Sequence, residues 1–301
     1  MGWIVERIVH FEPGEFVKDG LGHFGFHLRD GRYCAISHEG HRAALVGDDG
    51  RLEELSAPFA YPMYADVLRD GSVIVSNFGD ARLYRFDGRR RGELLVDGEL
   101  LGLVDMGNCV VGADGSIWIN EVRGGRIHHF QADGSLVHSV GGFGWIYDLR
   151  RGPDGRIYVL DSTNFAVRVV DPTTGEVAHV AGTGNSGYDG DGGPATEASF
   201  GGDETARFNG PISLAVDERG NLFVGDKFNH VVRMICRDSR VIETIAGRRT
   251  ADPTRVNDSG ERDPLRLNLP QISSMDYAEG RLYVPTDLAG DHGDLCVLRR
   301  V

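Results

Sequence analysis

The sequence predicts an all-β fold: a six-bladed β-propeller of four-stranded blades that occupies residues 1–301 as a single domain. Three observations support this: a short phrase recurs six times, its spacing suits a propeller blade, and alternating apolar runs surround each copy. The phrase is a polar turn that ends in glycine and leads into a β-like run. The turn glycines are Gly31, Gly71, Gly115, Gly155, Gly220 and Gly280, at intervals of 40, 44, 40, 65 and 60 residues. A period in the forties built only of strand patterns is typical of propeller blades.

Unit five shows the four strands expected in each blade. Apolar runs at 212–216 and 222–224 flank the turn glycine, and runs at 231–235 and 242–246 follow. A blade buries both of its faces only when the blades close into a ring. The last unit stops after its third run, whereas residues 3–9 form a spare run at the N-terminus. We therefore expect residues 3–9 to be the outer strand of the last blade.

Composition excludes several classes of partner. The chain is 41% hydrophobic and 26% charged, as in ordinary soluble proteins, and its net charge of −13 argues against a nucleic-acid surface. No apolar run approaches the roughly 20 residues that cross a bilayer, and the N-terminus lacks a signal-peptide pattern, so we expect a cytoplasmic protein without a membrane partner. The four cysteines are far apart and each lies in an apolar strand-like context, so they are predicted to be free, buried thiols.

The stretch EVAHVAGTGNSG, residues 176–187, has the G-x-G-x-x-G letters of a dinucleotide-binding loop. Such a loop must open a helix, yet YDGDGGP follows the third glycine, so we expect no nucleotide cofactor. Asp189 and Asp191 start a calcium-like D-x-D pattern, but Phe200 occupies the position of the bidentate acid. A surface loop with Asp-capped turns is the favoured interpretation.

A longer match carries a family resemblance. VAGTGNSGYDGDGGPATEASF, followed by FNGPISLAVDERGNLFVGDKFNHVVRMI, closely resembles NHL-repeat proteins through AGTG…GDGGPAT, P-x-S-L-A-V-D, G-N-L-F-V-x-D and N-H-V-V-R. The likeness is strong over about 175–250 and weaker at 145–175 and 265–300. It implies a six-bladed propeller but names no reaction, because NHL-like propellers include both binding modules and enzymes.

Each unit carries a polar or charged residue at the end of its second strand: Ser37, Asn77, Glu121, Asp161, Asp226 and Thr286. In units four and five an arginine follows seven residues later, which pairs Asp161 with Arg168 and Asp226 with Arg233. The shared spacing favours an ion pair that orders the next turn within each blade. The alternative is that the two carboxylates face the channel.

Histidines concentrate in unit one, where His23 begins the inner strand and 38–41 (HEGH) form the turn after the second strand. Unit six, its neighbour in a closed ring, adds Asp287, Asp291 and His292 in its own turn. Neutral imidazoles with carboxylates suit Zn²⁺, and a bound metal can acidify water. We therefore predict metal ligands at His23, His38 and His41, with solvated surface histidines as the alternative.

The inner strands offer a second ring of aligned positions: Phe24, Tyr64, Asn108, Asp148, Ser213 and Ile272. The oxygens of Asn108 and Asp148 resemble those that propeller lactonases present to a channel Ca²⁺. Tyr61, Trp145 and Tyr147, with Tyr64, are candidates to line a pocket above them. Ordinary packing of the ring interior is the alternative.

Together these features predict a small-molecule enzyme with its site at the top of the channel, with metal-assisted lyase or hydrolase chemistry like that of propeller amidating lyases and lactonases. The predicted cofactor is one divalent metal, Zn or Ca. The predicted catalytic residues are His23, His38, Tyr64 and Glu121, and the predicted substrate-binding residues are Asn77, Asn108, Trp145, Tyr147 and Asp148. The alternative is a non-catalytic NHL-type module that docks a protein or peptide on its top face, which a flat, apolar mouth would favour.

Overall fold

The computed structural model describes residues 2–11, 23–28, 30–47, 51–202, 209–288 and 292–301, without the side chains of 11, 23–27, 287, 288 and 292. Within these residues the chain forms six four-stranded antiparallel sheets, each one blade of a β-propeller. The predicted six-bladed fold is confirmed.

The strands follow one another around the ring from the inner to the outer edge of each blade. Blade one contains β2 (His23–His27), β3 (Tyr33–Ser37), β4 (Arg42–Val46) and β5 (Leu52–Leu55). Blade two contains β6 (Pro62–Val67), β7 (Val73–Asn77), β8 (Arg82–Phe86) and β9 (Glu93–Asp97). Blade three contains β10 (Met106–Val111), β11 (Ile117–Glu121), β12 (Arg126–Phe130) and β13 (Leu136–Gly141).

The second half repeats the plan with longer connections. Blade four contains β14 (Ile146–Arg151), β15 (Ile157–Asp161), β16 (Ala166–Val170) and β17 (Val177–Ala181). Blade five contains β18 (Ser213–Val216), β19 (Leu222–Asp226), β20 (Val231–Ile235) and β21 (Ile242–Gly247). Blade six contains β22 (Asp276–Ala278), β23 (Arg281–Leu288), β24 (His292–Arg300) and β1 (Trp3–Phe11).

The N-terminal strand closes the ring, as predicted. β1 pairs antiparallel with β24 from Trp3 opposite Arg300 to Phe11 opposite Gly293. An ion pair with an N–O distance of 2.6 Å joins Arg281 to Glu6. Blade six is the irregular one, because Ile272 lies outside its short inner strand and forms only an isolated bridge to Thr286.

The recurring turn glycine has a backbone reason. Gly31, Gly71, Gly115, Gly155, Gly220 and Gly280 all have φ between 77° and 92°. This left-handed region costs a residue with a Cβ atom free energy, whereas glycine enters it freely. The glycine therefore fixes the tight turn between the first and second strands of every blade.

The core lies between the blades, where the faces of neighbouring sheets meet. Trp118, Phe130, Phe200 and Phe223 are among its largest fully buried side chains. Cys34, Cys109 and Cys296 are buried free thiols, and Cys236 is a half-buried one. The helical segments of the described chain are three-residue 3-10 turns, so none is long enough to span a membrane.

In the glycine-rich loop at 182–201 no helix follows Gly187, and the helical segment within the loop is a 3-10 turn at Ala195–Glu197. Gly192 donates its N–H to the Ile242 carbonyl at 2.8 Å, and Ala195 donates to the Arg240 carbonyl at 2.8 Å. The loop therefore lies along the outer strand of blade five. This agrees with the predicted structural role.

One predicted ion pair is confirmed and its counterpart is wrong. Arg168 contacts Asp161 with an N–O distance of 2.9 Å. Arg233, which is fully buried, instead contacts Asp191 in the glycine-rich loop at 2.8 Å. It also packs against the rings of Tyr188 and Phe200 and donates to the Ser199 carbonyl, so loop 182–201 wraps around this guanidinium.

Candidate functional site

The top face of the propeller carries the turns after the second strands and the loops that enter the inner strands. Buried acceptors at the ends of four second strands bind the backbone of these loops. Asn77 accepts from the Ala60 N–H at 2.8 Å and Glu121 from the Val104 N–H at 3.2 Å. Asp161 and Asp226 accept in the same way from Gly144 and Gly201. Each contact fastens the loop that enters a blade to the second strand of that same blade.

This repeated contact bears on two predicted site residues. Asn77 is fully buried and Glu121 is only 2% exposed. The amide of Asn77 is shared between the Ala60 N–H and Asp80, and the Glu121 carboxylate also binds Arg126. Both side chains are committed to holding the top face together, and direct contact with a substrate stays a prediction for each.

The inner strands place four polar side chains together in the channel. We call Tyr64, Asn108, Asp148 and Arg150 the channel cluster; each is at most 7% exposed. Asn108 donates its amide N–H to Asp148, and Arg150 contacts Asp148 with an N–O distance of 3.2 Å. The Arg150 guanidinium lies over the Tyr64 ring, 4.7 Å from its centroid. The sequence analysis predicted that Tyr64, Asn108 and Asp148 lie at aligned positions of the inner strands, but it did not include Arg150.

Arg150 reaches across the channel. Its Nε donates to the Leu214 carbonyl in blade five at 2.6 Å, and its Nη2 donates to the Met275 carbonyl beside blade six at 2.9 Å. Asp148 in turn accepts from the Leu214 N–H at 2.8 Å. Charge-assisted bonds of this kind are stronger than neutral ones. The pair thus ties blades four, five and six together.

The guanidinium also bears on the predicted calcium. Burial raises the pKa of Asp148 to about 6, against the opposing effect of the adjacent Arg150 cation. Arg150 supplies a positive charge beside the oxygens that we expected to hold Ca²⁺. Like charges in a low-dielectric interior repel strongly, so the channel cluster does not favour a divalent cation.

A second group lies higher, at the mouth of the channel. We call His38, His41, Tyr61, Phe78 and Arg123 the top rim. The ring centroid of Tyr61 is 5.2 Å from that of His38 and 4.5 Å from that of His41. His38 also lies 6.1 Å from Phe78, whose other neighbour is the Arg123 guanidinium at 5.5 Å. The top rim is therefore a continuous row of aromatic and basic groups over blades one to three.

Trp145 and Tyr147, two predicted pocket residues, lie next along this mouth and are half-buried. Arg123 contacts the buried Asp105 with an N–O distance of 2.7 Å. Burial raises the pKa of Tyr147, while the nearby Arg123 charge opposes that effect. The row of groups thus continues from blade three into blade four.

The hydrogen bonds of the two rim histidines assign opposite tautomers to them. His38 Nδ1 lies 3.0 Å from the Pro62 carbonyl, which can only accept, so Nδ1 carries the proton and Nε2 the lone pair. His41 Nδ1 accepts the Tyr61 N–H at 3.0 Å, so its Nε2 carries the proton. Burial lowers the pKa of His38, so this ring is neutral at pH 7. One imidazole is set to accept a proton and the other to donate one.

These tautomers also test the predicted metal site. Metal binding through His41 would need its Nδ1 to give up the Tyr61 N–H, or its Nε2 to lose the only proton of the neutral ring. Within the described residues no group of three or more His, Cys, Asp and Glu side chains is arranged to hold a metal ion. His23 lies in β2, but its side chain is outside the described atoms, as are those of Asp287, Asp291 and His292.

The top face also has an exposed apolar segment that the sequence did not indicate. The loop that enters blade three exposes 85% of Leu100, 44% of Leu101 and 63% of Val104. It lies beside the top rim, because the Val104 N–H binds Glu121 at the base of the turn that carries Arg123.

Known proteins with similar sequences match part of this chain. No protein-family model matches it. NHL repeat-containing protein 2 from Homo sapiens is 32% identical over 90 residues, 30% of this chain and 11% of that protein. Its Gallus gallus counterpart is 31% identical over 119 residues, 38% of this chain and 15% of that protein. The chain is thus similar to NHL-repeat proteins over part of its length, and its fold is a six-bladed β-propeller.

The sequence match covers only a small part of each curated relative. SUPPRESSOR OF QUENCHING 1 from Arabidopsis thaliana, a chloroplastic protein, is 37% identical over 82 residues, which cover 27% of this chain and 7% of that protein. The matched region thus amounts to 7–15% of the length of these relatives.

Solved structures share the fold along nearly the whole chain. Virginiamycin B lyase from Staphylococcus aureus has a TM-score of 0.65 at 14% identity, over 98% of this chain and 99% of the lyase. A gluconolactonase from Xanthomonas campestris has a TM-score of 0.62 at 16% identity, over 92% and 86%. An auxiliary nutrient binding protein from Bacteroides ovatus has a TM-score of 0.69 at 15% identity, over 99% and 77%. At these identities the likeness establishes the fold.

Proposed function

We propose that the protein is a small-molecule enzyme with lyase or lactonase-like hydrolase activity, and that the top rim is its active site. The observation that carries the proposal is the pair of opposite tautomers at His38 and His41 on either side of Tyr61. A neutral base and an N–H donor in one small site are the requirements of general acid–base chemistry.

The proposed roles follow from the protons. His38 Nε2 would remove a proton from the substrate carbon or from an attacking water. His41 Nε2–H would donate to the oxygen on which negative charge develops. Tyr61 and Phe78 would hold the substrate by ring contacts, and Arg123 would bind a carbonyl or carboxylate oxygen. No step in this scheme passes through a metal.

The solved neighbours give this reaction class its support. They include a lactonase and a lyase, and the lyase from Staphylococcus aureus is catalytically inactive when one histidine is replaced by alanine. We infer that the substrate contains an ester or lactone group, as gluconolactone and virginiamycin B would supply.

The test is turnover of glucono-δ-lactone and virginiamycin B, followed by chromatography, with the wild-type protein and His38→Gln. Glutamine keeps a donor for the Pro62 carbonyl but lacks the base, so we expect a loss of about 10²- to 10⁴-fold in kcat/KM. His230→Gln is the matched control, since His230 Nδ1 makes the same kind of contact to the Pro270 carbonyl at 2.9 Å. Equal rates for the His38 variant and the wild type would refute the assignment.

The exposed loop at 98–104 favours a second candidate, a docking module. Leu100 and Val104 present apolar surface beside the mouth, which suits a protein partner. Leu100→Asp separates the two candidates: it should leave small-molecule turnover intact if the rim is catalytic. Failure of every small-molecule assay, together with binding of a protein partner that Leu100→Asp abolishes, would favour docking.

A further inference from the structure

Blade three carries a serine, a histidine and a glutamate in contact on one face. The strand register places Ser139 opposite His128 and Glu121 opposite Arg126, which lies two residues before His128 on β12. Ser139 Oγ lies 2.8 Å from His128 Nδ1. His128 Nε2 lies 3.4 Å from Glu121 Oε2.

The three side chains differ in their exposure to solvent. Glu121 and His128 are each 2% exposed, whereas Ser139, on the outer strand β13, is exposed to solvent. Among the described residues, the Nε2 atom of His128 makes no well-aligned hydrogen bond, and the carboxylate that it contacts is that of Glu121. Catalytic hydrogen bonds are often long or poorly aligned before a ligand binds.

The tautomer of His128 follows from its surroundings. A carboxylate can only accept, so the proton of the neutral ring lies on Nε2, facing Glu121, and the lone pair on Nδ1 faces the serine hydroxyl. Burial also lowers the pKa of His128, which keeps the ring available as a base at pH 7. Arg126 contacts the same Glu121 oxygen at 2.9 Å and balances the buried charge when His128 is neutral.

We propose that Ser139, His128 and Glu121 form a second, hydrolytic site in which Ser139 is a nucleophile toward esters and other activated acyl compounds. Such arrangements are recognised by geometry and roles rather than by the order of residues along the chain. Its base and nucleophile lie on the two outer strands of blade three, β12 and β13, whereas Glu121 ends β11 below the turn that carries Arg123.

The proposed reaction has two steps. Ser139 Oγ bonds to the acyl carbon while its proton passes to His128 Nδ1. The bond to the leaving alcohol then breaks, and His128 returns the proton to the alkoxide. Water next repeats the sequence on the acyl-serine, releasing the acid and restoring the hydroxyl.

The experiment uses a fluorophosphonate probe and p-nitrophenyl acetate with the purified full chain. The probe should form an Oγ–P bond to Ser139, with loss of fluoride and the serine proton, and peptide mass spectrometry should locate it there. Ser135→Ala is the matched control, because Ser135 is exposed in the same hairpin and its backbone N–H contacts Asp133. Ser139→Ala should abolish labelling, and His128→Asn should slow it about 10²- to 10⁴-fold.

A second measurement covers the case in which a His128 variant fails to fold. Ser139→Cys places a thiol at the same position, and its alkylation by iodoacetamide should be faster at pH 7 than that of an unfolded-chain reference. Glu121→Gln in the Ser139→Cys background should reduce that rate. Labelling at Ser135, or an equal rate of labelling in the Ser139→Ala variant, would overturn the proposal. So would a Ser139→Cys thiol with ordinary reactivity.

Discussion

Replacement of Arg150 by methionine is the most direct test of how the channel is held together. The substitution keeps most of the side-chain volume but leaves the Asp148 carboxylate buried without its cation. It also removes the donors that face the Leu214 and Met275 carbonyls. Breaking a buried pair by removing one partner costs about 3–5 kcal/mol, so we expect a loss of that size in the free energy of unfolding.

The assay is urea denaturation at pH 7, followed by fluorescence and circular dichroism. Arg85→Met is the control, because Arg85 contacts Asp70 at the surface, where both side chains are at least one-third exposed. Exposed pairs of this kind contribute about 0–1 kcal/mol. The double variant Arg150→Met with Asp148→Asn should be more stable than Arg150→Met alone, since no buried charge is then unpaired. Equal losses for Arg150→Met and Arg85→Met would refute the reasoning.

Two further predictions concern the dependence of stability on pH. Burial raises the folded-state pKa of Asp226 to about 6, so its contribution is complete below about pH 4 and is lost as the pH rises through 6. The free energy of unfolding of the wild type, measured by urea titration, should therefore fall between pH 4 and 7, and Asp226→Asn should reduce that fall by up to about 3 kcal/mol. The same dependence on pH in the variant and the wild type would contradict the raised pKa of Asp226. Burial, with the neighbouring His138, lowers the pKa of His129, which stacks on Trp118 at 4.3 Å. Its contribution is therefore complete above about pH 6.5 and is lost as the pH falls. His129→Phe should keep the stacking and lose less stability than the wild type between pH 7.5 and 5, as measured by thermal denaturation. A larger loss of thermal stability in this variant than in the wild type on acidification would argue against the lowered pKa of His129.

The fold could be predicted from the sequence because the same local turn and strand patterns recur in every blade. Each turn glycine adopts a positive φ that costs free energy in a residue with a Cβ atom. Successive side chains of a strand point to opposite faces of the blade, and both faces are buried in strands such as Val73–Asn77 and Leu222–Asp226. The role of residues 3–9 could be predicted because the last unit contains only three apolar runs. The unassigned run at the N-terminus supplies the fourth strand that this blade needs. Blade six departs from the pattern at Ile272, where a long connection replaces the regular inner strand.

The contacts of the candidate site were harder to predict from the sequence because they join loops that are far apart along the chain. Asn108 and Asp148 were grouped correctly, since aligned inner strands place them at the same height. Arg150 was missed although it lies two residues from Asp148 on the same face of β14; that spacing was the available signal. Arg233 was paired with the wrong carboxylate because the path of the loop that carries Asp191, 42 residues away, is not fixed by any strand pattern.

The pairing of β1 with β24 brings residues 2 and 301 together, with the Val301 N–H bonded to the Gly2 carbonyl at 2.9 Å. During synthesis, β1 has no sheet to join until β24 has been made. Each of the other five blades is built from one continuous stretch of chain and is able to form as that stretch appears, whereas blade six needs two distant segments. A circular permutant that joins residue 301 to residue 2 through a short linker and opens at another surface turn would leave every strand pair intact.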